Sequence, residues 1–251
     1  MKQIQGEVIF YGRITNFIML LPCILGIPSV NQVYGNKIAI LGGDFLLARA
    51  SISLARLRNV QVVELISTII EHLVKGEIMQ MKPSNGGYSV MEYYLRKNFY
   101  KTASLMGQSC LSAAVLGEYS EANQKASYLY GVHVGQAFQL IDDVLDFEGS
   151  TLSLGKVPFA DLKSGLATAP TLFAVREHPK LTELIDRKFR EPGDVEWAVG
   201  MVKDSEGLRA SKALAQFHVE AAIEALEKGI APSLARDCLI SLACKVITRT
   251  T

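Results

Sequence analysis

The chain has 251 residues, 49% of them apolar, with 26 basic and 25 acidic side chains and a net charge of +1. That length and composition suffice for one large domain with a sizeable core. Near-neutral charge without a basic run excludes an electrostatic nucleic-acid binder. Cys23, Cys110, Cys238 and Cys244 are scattered without metal-ligand spacing and read as buried thiols of a reducing compartment. His72, His133, His178 and His218 belong to no HExxH or triad signature.

In chain order, residues 1–27 read as an atypical leader ahead of a helical domain over 28–251. The apolar run from Phe17 to Val30 is interrupted by Pro22, Gly26 and Pro28. It falls short of the roughly 20 apolar residues of a membrane span, so no transmembrane span is expected. From Lys37 onward the pattern is helical. Ile38 to Leu57 is apolar at helical period, with small residues that permit close helix approach. Val60 to Met81 repeats the pattern through Val63, Ile66, Ile70, Leu73, Val74 and Ile78. This pair suits either a subunit surface or the inside of a bundle.

Pro83 to Gly87 is a turn by composition. Ser89 caps a predicted helix from Val90 to about Leu116, which carries Lys101 and Thr102 midway. Ser120 caps the next, to Phe147, with Tyr128, Gly131 and Gly135 on its inner side. Gly149 to Pro158 reads as loop. A helix from Ala160 to His178 is expected to kink near Pro170. Leu181–Phe189, Asp194–Lys203, Ser205–Lys228 and Pro232–Ile247 complete the predicted bundle. Trp197 reads as packing, and no alternating strand pattern is long enough to count.

The chemistry concentrates between Gly135 and Lys163. Asp142, Asp143 and Asp146 lie within about one turn of an otherwise apolar helix, with Gln139 one turn earlier. Like charges at i,i+4 destabilise a helix by roughly 0.2–0.5 kcal/mol, so a cation is expected opposite them. Mg2+ suits such a site, because it binds through one or two carboxylates plus substrate phosphates and keeps several waters. A glycine-framed loop follows with Lys156, and then come Asp161 and Lys163. Lysine beside a carboxylate-held cation suits a diphosphate.

FQLIDDVLDF followed by GKVPFADLKSGLATAP resembles the second aspartate-rich region of the trans-polyprenyl diphosphate synthases, and most of all the long-chain enzymes that make the ubiquinone side chain. FYKTASL, from Phe99 to Leu105, resembles the family's Lys-Thr diphosphate motif. PSVNQVYGNKIAILGGDFLLARAS, from Pro28 to Ser51, resembles the segment after its first aspartate-rich motif. The resemblance implies an all-α bundle of the isoprenoid-synthase type around a central apolar cavity, assembled as a homodimer or as a heteromer with a related subunit. It implies a mitochondrial, Mg2+-dependent prenyltransferase that condenses an allylic prenyl diphosphate with isopentenyl diphosphate. By the family pattern Asp142, Asp143 and Asp146 hold Mg2+. Lys101, Thr102 and Lys156 contact diphosphate oxygens, and Phe138 and Gln139 lie against the allylic end. Asp161 and Lys163 stand behind them.

The leader departs from the pattern. Read back without gaps from Gly26, the family's arginine pair falls on Ile24 and Leu25, and its first-motif aspartates fall on Thr15, Asn16 and Met19. None of these replaces a carboxylate ligand or a guanidinium clamp. The bundle is therefore expected to lack its N-terminal helices. Two readings stay open: an ordinary synthase whose true N-terminus has been replaced, or a catalytically incompetent partner subunit of a heteromeric synthase.

Overall fold

The computed structural model describes residues 23–24, 27–81, 89–148 and 158–249. Most of the leader, Lys156 and most of the predicted 149–158 loop lie outside them. The chain divides into two units, residues 1–63 with 154–156, and the remainder. In the first, strands β1 (Cys23–Ile24) and β2 (Ile27–Pro28) pair antiparallel. Helix α1 (Val30–Arg56) follows and breaks at Gly35, whose φ of +80° is left-handed. No residue of α1 is buried; Tyr34, Phe45 and Leu46 are all more than 60% exposed. By length and composition α1 is apolar enough to cross a membrane. The expectation above weighed only the run ending at Val30, and a single apolar helix near the N-terminus does not make a clear span. Helix α2 (Val60–Met81) begins in this unit and has the predicted bounds.

The second unit holds the rest of α2 and is built around α5 (Glu121–Glu148). Before α5 come α3 (Val90–Asn98), a π-helical turn (Phe99–Ala103) and α4 (Ser104–Leu116). They run where one helix was predicted, because the Ser104 N–H reaches back to the Phe99 carbonyl, five residues away. The predicted cap at Ser89 is a full capping box with Glu92. Ser120 caps α5 by accepting from the Asn123 N–H at 3.3 Å.

The predicted Ala160–His178 helix is instead two short ones, α6 (Ala160–Lys163) and α7 (Ala169–Ala174). The chain between them turns at Gly165, where φ is +79°. Pro170 sits in the first turn of α7, where its missing N–H would have had no helical partner anyway, so it starts a helix instead of kinking one. Next come α8 (Leu181–Asp186), α9 (Asp194–Lys203), α10 (Gly207–Gly229) and α11 (Leu234–Thr248). Within the described residues the architecture is all-α apart from the two-residue strands.

Apolar positions of α5 are shared among three clusters. Tyr130, Val134 and Ala137 pack with Val219, Ala222 and Leu226 of α10 and Ala243 of α11. Leu140 and Ile141 meet Tyr94, Ala169 and Ala215. Phe147 packs with Leu162, Leu181, Leu184 and Val202. A fully buried leucine such as Leu226 contributes roughly 1.5–3 kcal/mol. Two minor expectations fail, for the cysteines and Trp197, while the histidine pair is satisfied internally. Cys238 and Cys244 are exposed, Trp197 is half exposed with the Lys180 ammonium 5.8 Å from its ring, and His133 pairs with His218 through ring nitrogens 2.9 Å apart.

Two contacts set how close α5 comes to the π turn and to the first turn of α4. A Cβ on Gly135 would lie 2.5 Å from the Ala103 Cα, and one on Gly131 would lie 2.5 Å from the Met106 carbonyl oxygen. Both neighbours are backbone and cannot rotate away. Gly135→Ala is therefore expected to cost roughly 1–3 kcal/mol, read as a fall in the thermal unfolding midpoint. An unchanged midpoint would contradict the backbone contact.

Candidate active site

Gly131, Gly135, Gln139 and Asp143 recur every four residues and form one stripe of α5. The glycines let the π turn approach, and Gln139 and Asp143 meet what it carries. The Thr102 hydroxyl donates to Gln139 Oε1 at 3.0 Å, and Gln139 Nε2 donates to Asp143 Oδ1 at 2.9 Å. The Tyr94 hydroxyl of α3 donates to Asp143 Oδ2. Asp143 is 2% exposed, and burial pushes its carboxyl up to about 6 against the pull of the Tyr94 and Gln139 hydrogen bonds.

Phe138 and Asp142 lie beside that stripe and are joined by a residue from the far end of the chain. The Arg249 guanidinium stacks 3.9 Å from the Phe138 ring centroid and donates to the Phe138 carbonyl at 2.9 Å. It also faces Asp142 Oδ1 at 3.7 Å. The Asp142 side chain is 40% exposed, unlike that of Asp143. Asp146 turns toward α6 and accepts from the Ala160 and Asp161 N–H groups at 3.1 and 3.3 Å. Burial first, then Asp143, Asp146 and Asp142, push Asp161 up to about 7, with Lys97 pulling the other way. Lys97 is itself held below the usual ammonium range by burial, against the attraction of Asp143 and Asp161.

Lys101 is in the π turn, and its ammonium binds Glu77 Oε1 at 2.8 Å and Gln80 Oε1 at 2.9 Å, both on α2. The structure thus brings Thr102, Gln139 and Asp143 together by direct hydrogen bonds, and Phe138 and Asp142 through Arg249. Lys101 is fastened to α2, and Lys156 lies outside the described residues. The sequence reading missed Tyr94, Lys97 and Arg249. Tyr94 and Lys97 precede Lys101 by seven and four residues, which points them to one side of a helix, but that spacing alone did not mark them.

Among the described residues no three His, Cys, Asp or Glu side chains converge closely enough to hold a metal ion by themselves. The donor set still fits Mg2+, which takes one or two carboxylates and completes its octahedron with water and phosphate oxygens. Asp142 has the exposure a ligand needs, and the crowded carboxylates create a field that favours a cation.

That crowding predicts a pH signature. The folded Asp161 carboxyl lies near 7 against an ordinary value of 3.8. A carboxyl raised by folding supports stability below its unfolded pKa, and that support is lost as pH rises through the folded value. Asp161→Asn should match the wild-type melting temperature near pH 4 and exceed it by several degrees at pH 8. Equal midpoints at both pH values would contradict the crowding.

The polyprenyl synthetase family profile matches residues 26–202. The chain is 48% identical over 231 residues to the probable mitochondrial hexaprenyl pyrophosphate synthase of Neurospora crassa, a match covering 89% of this chain and 51% of that protein. The chain spans about half the length of such curated relatives. Among solved structures it resembles the apo form of an Arabidopsis medium/long-chain length prenyl pyrophosphate synthase. That match has 37% identity and a TM-score of 0.76, and covers 100% of this chain and 84% of that one. It also resembles a Caulobacter crescentus polyprenyl synthase complexed with calcium and isoprenyl diphosphate, at 27% identity and TM-score 0.84, covering 97% and 77%. A profile over most of the chain and relatives at this identity, on the fold and the carboxylate-bearing helix described above, place the chain in the polyprenyl synthetase family.

Proposed function

We propose that the chain catalyses head-to-tail prenyl transfer, joining an allylic prenyl diphosphate to isopentenyl diphosphate to build a long-chain polyprenyl diphosphate of the ubiquinone side-chain type. The observation that carries the reading is the crowding of Asp142, Asp143, Asp146 and Asp161 at the α5–α6 junction, one helical turn from the Thr102–Gln139 contact. Mg2+ bound there would draw off the leaving diphosphate as a Lewis acid. Asp142 would hold it, with Asp146 nearby and fixed by the N–H groups of α6.

The chain's own groups do the rest. Lys101, released from Glu77 and Gln80, would pair with diphosphate oxygens, and Lys156 would join it from the following loop. Phe138 and Gln139 sit beside the acidic turn, where the allylic end would lie. An apolar tunnel would shield the developing allylic cation from water. The double bond of isopentenyl diphosphate is the nucleophile, and the proton lost from the condensed product can go to the released diphosphate, so neither a protein nucleophile nor a protein base is required.

The names of the relatives support a mitochondrial setting and a long-chain product. The bare apolar surface of α1 supports assembly as a homodimer or with a related subunit, since unburied apolar surface of that extent calls for a partner. The calcium and isoprenyl diphosphate of the Caulobacter relative support a divalent-cation site.

The test is incorporation of labelled isopentenyl diphosphate by the purified chain, with Mg2+ and with a chelator. Mg2+-dependent chain elongation is expected, lowered about 10²-fold or more by Asp142→Ala. Elongation that survives chelation, or is untouched in the variant, would contradict the proposal.

A further inference from the structure

We propose that Tyr94 is a positioning residue: its buried hydroxyl, acting through Asp143 and Gln139, sets the direction of the Thr102 hydroxyl and makes Asp143 a structural anchor rather than a metal ligand. The order of donors and acceptors follows from chemistry. An ionised carboxylate only accepts, so both the Tyr94 O–H and the Gln139 Nε2 group must donate to Asp143. The Gln139 amide is then locked with its oxygen toward Thr102. That oxygen also only accepts, so the Thr102 hydroxyl must give its hydrogen to it. A chain of four side chains from α3, α5 and the π turn therefore has one polarity, set by the Asp143 carboxylate that Tyr94 holds in place.

Three features show that this chain is built in. Tyr94 is 3% exposed, in the cluster with Leu140, Ile141 and Ala169, so its ring is fixed by packing. Asp143 has its two oxygens on two different partners and is buried, whereas Asp142, one residue earlier, is 40% exposed. The Lys97 ammonium lies 5.3 Å from the Tyr94 ring centroid, on the same side of α3, and brings positive charge to the anchored carboxylate. The catalytic half of this inference rests on the function proposed above; the hydrogen-bond half does not.

Tyr94→Phe keeps the ring and removes only the donor. In the ligand-free protein, the Gln139 side-chain amide protons should be protected from solvent exchange by NMR. Protection should be lost in Tyr94→Phe and in Asp143→Asn. Protection unchanged in Tyr94→Phe would overturn the relay, whether or not the chain turns over. Mn2+ binding with inorganic pyrophosphate, read by electron paramagnetic resonance, separates anchor from ligand. Asp143→Asn should change the affinity by no more than about threefold, whereas Asp142→Ala should lower it at least about tenfold. An equal loss in the two variants would make Asp143 a ligand and overturn the assignment.

With substrates, Tyr94→Phe should lower kcat by about 10- to 100-fold and leave KM nearly unchanged. In a Thr102→Val background it should cost little more, because both changes break one path. Full additivity, or wild-type kcat in Tyr94→Phe, would overturn the positioning role. Failure of the wild-type chain to turn over would remove the function proposed above and leave the exchange result to decide the relay.

Discussion

Mutual repulsion among Asp142, Asp143, Asp146 and Asp161 is the constraint on which the site depends. Each is held in place by something that cannot yield easily. Asp143 is gripped by Tyr94 and Gln139, and Asp146 receives two backbone N–H groups of α6. Asp161 opens that short helix, and Asp142 faces the Arg249 guanidinium. Burial disfavours the charged form of Asp161 directly, and repulsion from Asp143, Asp146 and Asp142 adds to it, which is why Asp161 holds its proton up to about 7. Folding brings these acids together at a cost in stability, and a divalent cation would relieve it.

The helices around them exist in the form this arrangement needs. α5 is long enough to carry glycines at one end of a stripe and Gln139 and Asp143 at the other. The π turn inserts an extra residue where Gly135 of α5 comes within backbone contact, so Thr102 meets Gln139 while Lys101 reaches α2. π turns inside α-helices occur often at functional sites. Here the turn directs two neighbouring side chains to different partners. Arg249 closes the other flank from the C-terminal end of the chain, covering Phe138 and facing Asp142.

Much of this was legible from residues. The apolar period gave α2 with its observed bounds, Ser89 and Ser120 gave their caps, and DDVLD gave the acidic turn. What periodicity could not separate was the job of each aspartate. Asp142 and Asp143 are adjacent in sequence, yet one is half exposed and the other buried, because a step of about 100° carries the second from an open face onto the face that α3 covers. Tyr94 and Arg249 were invisible for a related reason. Their roles come from contacts across 49 and 111 residues of sequence, which no local pattern records. Pro170 was misread because proline disrupts a helix interior but suits a first turn, and only the break at Gly165 shows which applies.

The most direct measurement is a titration of the wild-type chain with Mn2+, with and without inorganic pyrophosphate, followed by the signal of free Mn2+. A site whose described residues include too few convergent carboxylates to close around an ion should bind Mn2+ weakly alone and at least about tenfold more tightly when pyrophosphate supplies the remaining oxygens. Equal affinity in the two titrations, or no binding in either, would contradict the account of the acidic turn as half of a cation–diphosphate site.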